Sequence, residues 1–269
     1  MTCVPRRPDT RACALPAVLA VTLASVIFST SVTAALPDEI QVYSGEINEP
    51  GEKGLEMHIN TTPRGIKTPG YPGEVVNHHG LRITPEFSWG FTKTFEAGLY
   101  IPTVIAPGGH YYIAGLKPRL KWLPIQAGDK GGWFAGINTE LSRLAQKFSE
   151  SRTNLELRFI VGYRTPDWLV SVNPILGWGL SDGQRERTPE GAFAIKGAHK
   201  VVGNWALGAE YYTALGKVSK ILPRNEQSHT IYAVLDYEGK GFDVNFGIGR
   251  GLTEATDRWT VKMIVGFPL

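Results

Sequence analysis

From Leu55 to the C-terminus the chain alternates apolar and polar residues with a period of two. Leu81, Ile83, Phe87, Trp89 and Phe91 are interleaved with Arg82, Thr84, Glu86, Ser88 and Gly90. Phe95, Ala97, Leu99 and Ile101 are interleaved with Glu96, Gly98, Tyr100 and Pro102. Leu155, Leu157, Phe159, Val161 and Tyr163 repeat the pattern around Asn154, Glu156, Arg158 and Gly162. Successive side chains of a strand point to opposite faces, so this period builds a sheet with one greasy and one polar face. Many such strands of roughly ten residues, with charges on the polar face, are the pattern of a β-barrel in lipid.

The N-terminus reads differently. Arg6, Arg7 and Arg11 precede an apolar run from Leu15 to Phe28, and small residues follow at Val32 to Ala35. The run is too short to span a bilayer as a helix and has the layout of an export signal, placed at residues 1–35. Its removal takes both cysteines, Cys3 and Cys13, so the exported chain holds no disulfide, thiol nucleophile or thiolate metal site. Three Arg and one Asp leave with it. The formal charge of +3 then falls to +1, a balance that excludes a nucleic-acid surface. A mean hydropathy of −0.12 is too polar for a helical membrane protein and suits a barrel whose strands face water with every second residue.

Residues 36–54 are acidic and turn-rich, an N-terminal periplasmic segment partly ordered inside the barrel mouth. Residues 55–269 then give twelve strands, near 55–61, 80–91, 94–105, 111–124, 132–147, 153–164, 168–180, 192–202, 205–215, 228–238, 242–251 and 258–269. The connections after even-numbered strands are short; those after strands one, seven and nine are long, the longest running from Thr62 to His79. Short turns on the periplasmic side and long loops outside are the habit of closed antiparallel outer-membrane barrels, and the Thr62–His79 loop is placed over the outer mouth. Pro85, Pro118 and Pro174 fall inside these strands, where a missing N–H breaks the ladder, and strand eight puts Gly197 and His199 on the apolar phase; ten strands is the alternative.

All seven tryptophans sit on the apolar phase at strand ends. Trp89, Trp122, Trp133, Trp168 and Trp205 fall at the periplasmic rim, and Trp178 and Trp259 at the outer rim, as an aromatic girdle requires. The polar phase carries Arg82, Glu86, Glu96, Lys117, Arg119, Lys121, Glu140, Glu156, Arg158, Lys196, Glu210, Asp243 and Lys262. These charges face the lumen, since each would cost a few kcal/mol at mid-membrane on the lipid side. They either line a narrow water-filled pore or zip together and close it. Lys117, Arg119 and Lys121 form a one-sign stripe that would favour anionic solutes.

Catalytic patterns are weak. The histidines are His58, His78, His79, His110, His199 and His229, and no Gly-x-Ser-x-Gly elbow is present. His78-His79 lacks a third metal ligand, and Gly247, Gly249 and Gly251 sit in a strand rather than before a helix, which fits close strand packing better than a phosphate loop. No cofactor and no metal is expected.

Several segments carry a resemblance. Glu39-Ile40-Gln41-Val42-Tyr43, Ile47 to Gly51, Gly54 to Asn60, Pro85-Glu86-Phe87, Phe95 to Tyr100, Asn173 to Leu176, Trp205 to Tyr212 and Gly247 to Thr253 resemble a family of uncharacterised Gram-negative outer-membrane β-barrels, transporter- and porin-like by description. The resemblance implies an all-β fold in the cell outer membrane and brings no catalytic residues. The end departs from many such barrels, with Pro268-Leu269 after Phe267. The expected function is passive diffusion of small hydrophilic solutes. Its partners are outer-membrane lipid, the barrel assembly machinery and those solutes. A structural or adhesive barrel with a closed lumen is the alternative, and an outer-membrane lipid hydrolase the third reading.

Overall fold

The computed structural model describes residues 38–269 apart from 182, 184 and 186. The export signal expected over 1–35, with both cysteines, lies outside them.

Twelve antiparallel strands close into a barrel. They are β1 (Lys53–Arg64), β2 (Leu81–Gly90), β3 (95–105), β4 (111–125), β5 (Gly132–Leu144), β6 (Thr153–Arg164), β7 (Trp168–Gly179), β8 (Glu190–Val202), β9 (Trp205–Lys217), β10 (Ser228–Glu238), β11 (Asp243–Gly251) and β12 (Trp259–Pro268). Each pairs with its sequence neighbours, and β1 pairs with β12 to close the ring, from Gly54 opposite Pro268 to Arg64 opposite Trp259. The Leu269 amide donates to the Lys53 carbonyl at 2.9 Å and finishes the seam. The ten-strand alternative is thereby excluded. Loops lengthen at one end and turns shorten at the other, as the sequence reading requires.

The three awkward prolines show how a closed sheet accommodates them. Pro85, Pro118 and Pro174 pair with Met57, Leu99 and Phe193 on one neighbouring strand. On the other side the ladder skips: β2–β3 pairing jumps from Ile83↔Thr103 to Glu86↔Tyr100, β4–β5 from Leu116↔Arg143 to Arg119↔Glu140, and β6–β7 from Arg158↔Ile175 to Val161↔Val172. An antiparallel residue bonds to one neighbour only, so each proline costs one rung and leaves the other ladder whole. The break in β3 falls at Ile101-Pro102, opposite Pro85, so Pro85 and a fourth proline, Pro102, share one gap.

The outer surface is apolar and exposed: Phe87, Leu99, Leu120, Phe159, Val170, Leu207, Ile231 and Ile248 all lie open on it. Six tryptophans are exposed and Trp178 is half-buried. Around the turn end they form aromatic pairs, with ring centroids 5.9 Å apart for Phe95–Trp122, 5.2 Å for Trp133–Tyr163 and 4.7 Å for Trp205–Tyr237. His199, on the apolar phase of β8, stacks on Trp168 at 4.2 Å, which explains why a histidine is tolerated there.

Candidate functional site: a plugged, charged lumen

The barrel is not empty. Residues 38–48 run inside it, with Asp38, Glu39, Ile40, Val42 and Tyr43 buried, and leave through the turn end into β1. Part of the segment read as periplasmic is therefore a strap through the lumen. It has no regular ladder of its own, so the wall must satisfy its backbone.

Two kinds of wall do so. On β4 to β6 the contacts are ionic. Lys117 reaches Glu39 at 2.9 Å, Glu140 at 3.2 Å and Asp38 at 3.6 Å. Arg158 holds Glu156 at 2.9 Å and Glu39 at 3.5 Å, and donates to the Gln41 carbonyl at 3.1 Å. Burial alone would raise the Glu39 carboxyl, but the facing Lys117 and Arg158 outweigh it and hold it well below the usual carboxylate range. On β7 the contacts are neutral. Asn173 accepts the Tyr43 N–H at 2.7 Å and donates back to the Tyr43 carbonyl at 3.1 Å, and Ser171 donates to the same carbonyl at 2.6 Å. Val42 packs on Ile175 and Ala194. Tyr43 packs with Leu123, Phe134 and Ile160, and its hydroxyl meets that of Tyr100 at 2.7 Å. Further round, Lys262 donates to the Ile40 carbonyl at 2.9 Å and to Glu210.

The remaining inward charges also find partners. Arg119 binds Glu86 and, at 2.7 Å, Glu96, which also takes Lys121 at 2.8 Å and the Asn48 N–H at 2.7 Å. Gly98 sits under the Arg119 side chain, where a Cβ would come within 2.6 Å of it. Lys196 meets Asp236 at 2.8 Å and Glu210 at 3.6 Å. Arg82 donates to Asn77 of the long loop at 2.6 Å. Of the thirteen charges read as inward, eleven are buried, Glu156 is half-buried and Asp243 is exposed at the turn end, where it accepts from the Gly239 N–H. The basic stripe of Lys117, Arg119 and Lys121 is met by carboxylates along its whole length, so the bias toward anions read from it is cancelled locally.

Below the strap, toward the turn end, the lumen keeps a cavity of about 660 Å³. Its walls include Arg164, Lys196, Asp236, Asn245, Glu56 and Gln41. At the loop end, the long loop ties to its neighbours: Val75 donates to the Lys147 carbonyl at 2.8 Å and Ile66 to Asp257 at 2.8 Å. The ring of His229 bonds to Tyr211 and Gln227. At Gly249 a Cβ would fall 2.3 Å from the Tyr232 ring, so this glycine run serves close packing, as the strand placement implied.

No protein-family model matches the chain, and no curated protein matches it. Solved structures do. An outer membrane channel from Pseudomonas putida F1 is similar over 86% of this chain and 100% of its own, with a TM-score of 0.58 at 11% identity. The porin NanC covers 80% of this chain and 100% of its own at a TM-score of 0.55 and 12% identity. The porin KdgM covers 80% and 98% at 0.51 and 10%. At such identities the likeness shows the fold, that of a closed barrel also used by outer-membrane channels.

Proposed function

We propose that this protein is an outer-membrane channel for small hydrophilic solutes, with residues 38–48 setting its bore. One observation carries the reading: a closed barrel with an apolar exterior encloses a charged, water-accessible cavity of about 660 Å³ that opens at the turn end. An apolar outer face of this extent suits lipid, and the cavity left open in the polar lumen is lined to hold water or a small polar solute. The aromatic pairs at the turn end suit the headgroup layer. The known similar structures, themselves named as channels and porins, support the same class. The Arg, Lys and carboxylate side chains along the lumen would govern which solutes pass.

A closed-lumen structural barrel is the second reading, favoured by the ion pairing of the lumen and by the strap. Planar-bilayer recording on the folded full-length protein separates the two. Discrete conductance steps support the channel; folded protein with no steps under any voltage, and none after the strap is removed, overturns it.

A further inference from the structure

The structure assigns a divalent transition-metal site to Glu56, His58 and Glu86 at the inner end of the turn-side cavity. Glu56 and His58 are two residues apart on β1, so both point inward, and Glu86 stands directly opposite Glu56 on β2. Two carboxylates directly opposite each other on a strand pair favour a cation nearby, and Arg119 meets this need on the Glu86 side alone.

The geometry fits a metal. His58 Nε2 lies 3.1 Å from Glu86 Oε2 and 3.7 Å from Glu56 Oε2, and all three ligand atoms fall within 4.8 Å of one another. A tetrahedral ion with bonds of about 2.0–2.1 Å has ligand–ligand edges of roughly 3.3 Å, so small shifts would bring the three onto one ion. Arg119 holds Glu86 through its other oxygen, Oε1, which fixes the carboxylate while leaving Oε2 to the site. His58 and Glu86 are buried, and Glu56 and Glu86 border the cavity, which gives an ion a route in.

A fourth ligand is at hand in the strap. Gln41 donates its amide N–H to Glu56 Oε2 at 3.0 Å, while its Oε1 is buried without a hydrogen-bond partner. Turning that amide over would exchange donor for acceptor beside Glu56 and offer an oxygen as the fourth ligand of an N₁O₃ set. One imidazole with carboxylate and amide oxygens suits zinc or a neighbouring first-row ion rather than calcium or magnesium, which take oxygen alone. The assignment does not depend on whether the barrel conducts.

Zinc binding to the chelator-stripped, detergent-folded full-length protein tests it, by calorimetry and by X-ray absorption at the zinc edge. One zinc per chain is expected, in a nitrogen–oxygen shell containing a single imidazole. His58→Gln and Glu56→Gln should each weaken binding at least tenfold, with folding checked by circular dichroism, and the paired change His78→Ala, His79→Ala should leave it unchanged. Failure of the wild-type protein to bind, full affinity in folded His58→Gln, or loss of binding in the His78, His79 variant would overturn the site. If His58→Gln does not fold, the absorption spectrum of the wild type and the Glu56→Gln titration decide the matter.

Discussion

The two walls that grip the strap use different physics. Lys117 and Arg158 hold it by charge, through the side chains of Asp38 and Glu39. Asn173 and Ser171 hold it by neutral hydrogen bonds to the backbone of Tyr43. The neutral wall reads the backbone, since any residue but proline at position 43 presents the same N–H and C=O; the charged wall reads side chains, since it needs acids at 38 and 39. Position of the strap is thus set by amides and its identity by ions.

Removing residues 38–48 breaks both grips at once and should have the largest effect: a several-fold rise in single-channel conductance over the full-length protein, read in planar bilayers. Next, Lys117→Met removes the cation shared by three carboxylates, leaving Asp38 and Glu140 without it and Glu39 with Arg158 alone. Leaving buried charge uncompensated costs about 3–5 kcal/mol, to be read as a lower denaturation midpoint in detergent and more frequent opening. Asn173→Ala orphans the Tyr43 N–H and should cost about 1–3 kcal/mol by the same assays. The double variant Lys117→Met, Asn173→Ala sharpens the contrast. If the strap moves as one body, releasing one wall leaves less for the other to lose, and the two costs sum to less than their separate values; strict additivity would mean that the walls hold independent pieces. Smallest of all is Arg164→Ala. Its partner Glu46 is exposed at the rim, so the change should stay within about 1 kcal/mol.

The wall was legible in the sequence because its rule is local. Period-two alternation identifies a strand from a few residues, and the twelve spans it marks fall within a few residues of the observed bounds. The prolines read as threats because a missing N–H counts against any strand, whereas only the pairing shows that one rung per proline is lost and its neighbour kept. The interior was less legible, since it depends on residues far apart in the chain. Lys117, Arg119 and Lys121 look like a free cationic stripe until Asp38 and Glu39 arrive from the N-terminal segment. Glu56 and His58 share a face by simple alternation, a pattern present in the sequence, but the facing Glu86 depends on register between β1 and β2. Asn173 and Asp236 carry no such signal, because a neutral or an isolated inward residue forms no pattern.

The strap is also a ligand on a leash. It joins β1 through the tight turn at Glu49–Glu52, where the Glu52 N–H donates to the Glu49 carbonyl at 2.9 Å. Once displaced, it stays within a few tens of ångströms of its seat, at an effective concentration on the order of millimolar. In the proposed channel, a solute entering from bulk would compete with that resident, and because the competition is intramolecular, dilution of the protein would leave it unchanged.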